Sequence, residues 1–428
     1  MTWRGAALLA GPIPLVALGA TFPPLLPIGI ALFVLAAIVI VLDSRLAAGG
    51  AMLRVVREHD DLLSIGRPNA ITLHISSTRP ARGVLRDEHP EDMDVATELH
   101  VVNVPATLEY ALTPRARGEA QFGRTVLRLT GPLGLGTRQT AVGEPQGVRV
   151  DPDLTAVRSY EALARRGQLM EIGMRSMRRH GEGTEFERVR EAVPDDPMRS
   201  INWKATARTG KLMALELMPE RAQPIVICMD HGRLMGVGAG SLTKLDHSIN
   251  AALLLAHVAL RFGDKAGLLA FCDRVTTSIA PRAGRSQLRV IINGLRPLEA
   301  GQTEANYESA FTFLSGWQTR RSLLVIFTDM LDADQGAALI RQCVRLRRRH
   351  LPLVITVRDP AVDDAALAPP TSALRVYERA VASGLARDRE DTIRILQRSG
   401  VETIDTDART LSPRLVNRYI DLKRRARL

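Results

Sequence analysis

Residues 25–42 are eighteen consecutive residues without a charge, rich in Leu, Ile, Val and Ala. A helix needs roughly 20 apolar residues to cross about 30 Å of hydrocarbon, so this run with its flanks is long enough to span a membrane. A first apolar run, residues 6–22, precedes it and contains Pro12 and Pro14. A secretory signal is the competing reading of that first run, with Arg4 as its basic start. Against it, a second long apolar run follows at once and no clean small-x-small cleavage site precedes it. The expectation is a transmembrane helical hairpin over residues 1–48. Arg4 lies before the first run, Arg45, Arg54 and Arg57 follow the second, and residues 21–24 between them carry no charge. The positive-inside rule then puts both termini in the cytoplasm, with the chain a multi-pass hairpin in the cell membrane. Three Cys without a CxxC pair suit a reducing compartment and exclude a disulfide framework or zinc ribbon.

A chain of 428 residues is long enough for two or three domains. Residues 49–150 alternate in polarity at 71–75, 99–104, 106–112 and 124–130, the last run closing on Gly131-Pro132-Leu133-Gly134. Short alternating strands between Gly, Pro and Asp clusters predict a small β-sandwich. Residues 151–224 are mixed; 163–180 reads as helical, weakened by Gly167 and Gly173. From 225 to 428 short apolar runs alternate with helical spacing. Strands are expected at 225–229, 266–272, 275–279, 322–327, 351–357 and 401–404. Helices are expected at 245–262, 286–295, 307–317, 333–349, 373–398 and 412–425. Such alternation predicts a doubly wound α/β domain on a parallel sheet.

Charge is concentrated in that last region. It holds 30 Lys and Arg against 21 Asp and Glu, +9 of the chain's +11. A basic half can meet nucleic acid, an anionic membrane face or an acidic partner. Aromatic content of only 4% and the lack of any reader fold argue against nucleic acid. The basic runs 345–350 and 423–427 lie at helix ends, where cations meet the dipole favourably.

Ligands of doubly wound sheets gather outside the carboxyl ends of the strands. Asp230 and Asp329 close two predicted strands there, and Thr303 follows Gly301-Gln302 ahead of a helix. Three hard oxygen donors at one edge suit a cation such as Mg²⁺. An apolar strand ending in Asp, a later Thr loop and a distant Asp resemble a von Willebrand factor type A (VWA) domain. That family's metal motif is Asp-x-Ser-x-Ser, a distant Thr and a distant Asp. Here Asp230 is kept while Gly232 and Leu234 stand at the two Ser positions. The resemblance therefore implies a degenerate site at Asp230, Thr303 and Asp329, with no cofactor or a weakly bound Mg²⁺. His231 reads as a surface residue.

A second pattern lies upstream. It runs from Gly183 through Glu185, Phe186, Arg190 and Glu191, then Asp195, Asp196, Arg199, Asn202, Trp203, Lys204 and Arg208. This spacing is similar to the signature of the bacterial family called domain of unknown function 58, a membrane-anchored family with a C-terminal VWA-like domain. Val189, Ala192 and Pro194 depart from its usual Leu, Tyr and Gly. Leu133-Gly134-Leu135 and the ending Tyr419-Ile420-Asp421-Leu422-Lys423 are also similar. The resemblance spans about residues 110–428 together with the apolar N-terminus, and the expected division of the body is a β-sandwich-like domain 49–150, a signature segment 151–224 and a VWA-like domain 225–428. It implies a non-catalytic adaptor for a MoxR-type AAA+ ATPase in chaperone-like assembly.

Within the signature, Arg190, Arg199, Lys204 and Arg208 interleave with Glu185, Glu187, Glu191, Asp195 and Asp196. The expectation is an ion-pair network that locks this segment onto the following domain, with the Trp203 ring buried and an Arg stacked on it. Anion binding by the four cations is the alternative. No P-loop, G-x-S-x-G or H-E-x-x-H occurs. Cys228, Cys272 and Cys343 fall in apolar stretches and read as small core residues. The functional expectation is thus a membrane-anchored protein-interaction module. The rivals are an envelope scaffold without an ATPase partner and a divalent-metal hydrolase built on Asp230 and Asp329.

Overall fold

A computed structural model describes residues 1–153, 185–193, 196, 198–218, 222–330, 333–369 and 371–425. The chain divides into two compact units, Met1–Asp153 and Leu154–Leu428.

The first unit opens with α1 (Trp3–Ala10), α2 (Ile13–Leu18) and α3 (Leu25–Leu46). The expected pair of spanning helices does not form. Pro12 precedes and Pro14 opens α2, and proline lacks the N–H that a continuous helix needs. The first apolar run therefore breaks into two short helices. Among the described residues only α3 is in a helix long and apolar enough to cross a membrane. Its 22 residues extend about 33 Å, and Leu32, Val34, Leu35, Ile38 and Leu42 on it are exposed.

Eleven strands follow: β1 (Leu53–His59), β2 (Leu62–Ser64), β3 (Asn69–Ser77), β4 (Ala81–Asp87), β5 (Met93–Val95), β6 (His100–Val104), β7 (Ala106–Pro114), β8 (Gly118–Phe122), β9 (Thr125–Thr130), β10 (Thr137–Val142) and β11 (Gln146–Asp151). Two antiparallel sheets, β1-β3-β7-β5 and β10-β9-β4-β6, share one core of Leu73, Ile75, Leu85, Val102, Leu127 and Leu129. Strands with one buried face alternate, which is why the pattern was visible in the sequence. A third sheet, β2-β11-β8, completes the unit. Inside the sandwich Asp87 accepts from Arg57 at 2.6 Å, Tyr110 at 2.6 Å and Thr125 at 2.7 Å, so its buried charge is fully paired. Buried Asp43, near the end of α3, accepts from the backbone N–H groups of Leu133, Leu135 and Gly136 at 2.7–2.8 Å. Gly131 permits this seat, since a Cβ there would stand 2.3 Å from the Asp43 carbonyl oxygen.

In the second unit β12 (Glu185–Glu191) pairs antiparallel with β13 (Met213–Met218), and α4 (Trp203–Thr209) lies between them in sequence. The helix expected at 163–180 lies outside the described residues. Then come β14 (Pro224–Asp230), a two-stranded ribbon of β15 (Gly238–Ala239) and β16 (Leu242–Thr243), α5 (Lys244–Arg261), β17 (Lys265–Phe271), β18 (Val275–Arg282), α6 (Arg285–Leu295), α7 (Tyr307–Trp317), β19 (Leu323–Phe327), α8 (Ala333–Arg347), β20 (Leu351–Val357), α9 (Pro360–Leu367), α10 (Ala373–Arg398), β21 (Glu402–Thr406) and α11 (Ala408–Arg424).

The main sheet runs β18-β17-β14-β19-β20-β21, all parallel except edge strand β18. By order of appearance this is 3-2-1-4-5-6, a doubly wound topology whose direction reverses between β14 and β19. Alternate residues of each strand feed two cores. Ile225, Ile227 and Met229 meet α5 and α11, while Val226 and Cys228 meet α7 and α8. With both faces covered, the strands are apolar throughout.

Candidate functional site

The switch point lies where β14 and β19 end, and the chain delivers Asp230 and Asp329 there. Both are buried, each 2% exposed. Asp230 Oδ1 accepts from the Gly232 N–H at 2.7 Å and Oδ2 from the Thr328 hydroxyl at 2.6 Å. Burial pushes the Asp230 carboxyl up to about 6; the two hydrogen bonds oppose that shift and the Asp329 charge adds to it.

Asp329 is paired from two sides. Lys244 Nζ donates to Oδ2 at 2.5 Å, and Arg389 Nη1 donates to Oδ1 at 2.7 Å. Lys244 is the first residue of α5, set there by a capping box between Thr243 and Asp246. A cation at a helix N-terminus faces the positive end of the dipole. Lys244 is only 2% exposed, so Asp329 supplies the countercharge that this position requires. Arg389, on α10, also bonds Asp405 at 2.8 Å, and Asp405 takes Thr356 at 2.8 Å and Arg358 at 2.7 Å. Burial works against the charge of Asp405, yet Arg389, Thr356 and Arg358 outweigh it and hold the carboxyl below its usual range.

The third expected donor, Thr303, lies beside this pair without joining it. Its hydroxyl meets the Cys272 thiol at 3.0 Å, and its carbonyl accepts from the Arg233 N–H at 2.8 Å. Gly232 accounts for that loop. A Cβ at 232 would come within 3.1 Å of Asp230 Oδ1, the Thr303 carbonyl oxygen and the Ala305 nitrogen. Glycine at this position lets the Thr303 loop close down where the metal motif has serine.

These residues do not fit a divalent cation. Every carboxylate oxygen of the two Asp is engaged by a protein donor, and Asp329 already faces two positive groups. Among the described residues no three His, Cys, Asp or Glu converge as a ligand set. His231, expected on the surface, is instead 9% exposed, with Nδ1 on the Glu299 carbonyl at 3.0 Å and Nε2 on the Thr276 hydroxyl at 2.9 Å. Cys228, Cys272 and Cys343 are buried free thiols, and burial pushes Cys343 up to about 12. A thiol so protonated is no nucleophile at neutral pH.

The signature segment is only partly the expected network. Arg190 makes a two-pronged pair with Asp196 at 2.7 and 2.8 Å, and Glu191 pairs with Lys211 at 2.5 Å, a residue the signature omits. Asn202 caps α4 by accepting from the Ala205 N–H at 3.1 Å. Lys204 and Arg208 are exposed. Trp203 is not buried: it is 61% exposed, with Met198 and Leu212 exposed nearby in sequence. Among the described residues no further layer covers the outer face of this short helix. Gly183 and Asp195 lie outside the described residues. Glu185 and Phe186 lie on β12, and Arg199 lies in the 3₁₀ turn Met198–Ser200.

Sequence reasoning missed Lys244, Arg389 and Asp405. One signal was available for the first, because only five of the 57 basic residues are Lys and one opens a helix. Nothing local marks Arg389, one of several Arg on α10.

The fold and site define a doubly wound α/β unit whose switch point is closed by internal ion pairs. Residues 188–395 match the family described as protein of unknown function DUF58. Uncharacterized proteins of Mycobacterium bovis and Mycobacterium tuberculosis are 24% identical over 182 residues, 42% of this chain. The chain spans 56% of the length of these curated relatives. Among solved structures, an uncharacterized membrane spanning protein from Vibrio fischeri is similar over 47% of this chain and 98% of its own, at 11% identity and TM-score 0.18. Proximal thread matrix protein 1 from the mussel byssus is similar over 47% of this chain and 45% of its own, at 12% identity and TM-score 0.27.

Proposed function

We propose that this chain is a membrane-anchored, non-catalytic protein-interaction module with a VWA-like α/β domain, acting as an adaptor for a MoxR-type AAA+ ATPase. In this reading α3 is the anchor, and Arg45, Arg54 and Arg57 keep the body on the cytoplasmic side. One observation carries the docking role. Arg389 sits level with the switch point through its bond to Asp329, and α10 continues from it toward its own N-terminus. Tyr377 lies twelve residues earlier, about 18 Å along the axis at 1.5 Å per residue. That projecting end exposes Leu374 at 66%, Tyr377 at 69% and Val381 at 45%, with Leu367 of α9 at 81%. Leu374, Tyr377 and Val381 recur at helical spacing, and such a stripe on a soluble face suits a partner's groove. The ion pairs of Asp329 and Asp405 then anchor the helix that presents it.

The test is recovery of tagged full-length protein from detergent-solubilised native membranes, with and without ATP and Mg²⁺. The expected result is nucleotide-dependent recovery of an AAA+ ATPase, identified by mass spectrometry and lost in Leu374→Asp plus Tyr377→Asp. Recovery of envelope proteins alone, in every nucleotide state, overturns the adaptor role and leaves a scaffold. The hydrolase reading has less support, since both carboxylates are buried and engaged.

A further inference from the structure

At the opposite end of the same sheet, where strands begin, lies an open cleft of about 800 Å³ lined in part by Arg321, Arg347, Arg348, His350, Glu402 and Arg418. Four guanidinium groups face one carboxylate, and that carboxylate, Glu402, is ion-paired with Arg418. Arg347 and Arg348 are exposed, and their guanidinium groups have no hydrogen-bond or ion-pair partner among the described residues. They therefore do not serve as caps for the carbonyls that end α8.

Two features indicate a built site. Gly400, with φ of +74°, turns the chain from α10 into β21, and a Cβ on it would stand 2.6 Å from Arg347 Cζ. The absent side chain leaves the place that the Arg347 guanidinium occupies. His350 at the cleft is only 3% exposed, and neither ring nitrogen has a partner. A buried polar ring left idle is costly, and a ligand oxygen is one way to satisfy it.

We propose that this cleft binds a multiply charged phosphate anion. Guanidinium forks match phosphate oxygens in geometry and charge. The C-termini of α8 and α10 point the negative ends of their dipoles toward this end of the sheet, so affinity depends on the arginines outweighing them. The phosphate is either free or carried on a lipid headgroup, and the experiment separates the two.

Pyrophosphate is titrated calorimetrically into the full-length protein in neutral detergent. Saturable binding is expected, weakened about tenfold or more by Arg347→Gln plus Arg348→Gln, since both substitutions remove charge-assisted bonds to the anion. Arg348→Glu, at the exposed rim, shifts affinity in the same direction with less risk to folding. Arg341→Gln plus Arg345→Gln removes the same charge from α8 outside the cleft and leaves affinity unchanged. Absence of saturable binding, or equal loss in both double variants, overturns the proposal. In nanodiscs, weaker pyrophosphate binding with anionic than with zwitterionic lipid assigns the site to a headgroup. Equal binding in both assigns it to a soluble phosphate.

Discussion

The two ends of the six-stranded sheet handle charge in opposite ways. At the carboxyl end, Asp329 just past β19, Asp405 of β21, Lys244 of α5 and Arg389 of α10 are drawn into buried pairs. At the amino end, arginines gather around an open cleft with a single acid. Burial explains the difference. A charge removed from water needs a partner, whereas one left in water does not. The closed end shapes the fold, and the open end leaves the Arg347 and Arg348 side chains in water.

The largest effect that breaks this contrast is expected from Lys244→Met. It leaves a buried Asp329 with one cation fewer and costs about 3–5 kcal/mol of unfolding free energy. Adding Asp329→Leu recovers most of that loss, because the unpaired charge is gone. Denaturant midpoints of the full chain check both, and a single-variant cost below about 1 kcal/mol would mean the pair contributes like a surface one.

Asp230 gives the next effect, read through pH. Its carboxyl titrates at about 6 in the folded chain against an ordinary value of 3.8. The folded state therefore holds a proton that the unfolded state has released between those values, and this group's contribution falls as pH rises through that window. Asp230→Asn is expected to remove that falling component. An unchanged profile of thermal midpoint against pH would show that the carboxyl is not raised.

Mg²⁺ sharpens the comparison at the closed end. A cation that binds only the folded chain raises stability by mass action. With both oxygens of Asp329 held by Lys244 and Arg389, millimolar Mg²⁺ is expected to leave the thermal midpoint unmoved. A saturable rise lost in Asp329→Asn would reopen the metal reading.

Trp203→Ala is the smallest expected effect. The ring is 61% exposed, so its loss falls within about 0.5 kcal/mol, as for surface substitutions generally. A larger loss of stability would place the ring in a packed environment.

Periodicity made the sandwich strands and the α/β alternation legible, because apolar spacing is a local consequence of which faces are buried. It also located Asp230 and Asp329, since a polar residue that ends an apolar strand is a local feature. It overstated the first apolar run, where Pro12 and Pro14 interrupt the backbone bonding that hydrophobicity alone ignores. It also buried Trp203, because ring size predicts burial only where a second layer exists to receive it.

What the sequence by itself determined is thus the order of elements, the spanning length of α3 and the two strand-end carboxylates. Only the tertiary structure decided what those carboxylates do. Lys244 lies 85 positions from Asp329 and Arg389 lies 60, and no local pattern links them. Their meeting depends on α5 packing against β14 and β17 and α10 against β21, and Coulomb attraction in a buried site acts on distance in space, not on separation along the chain.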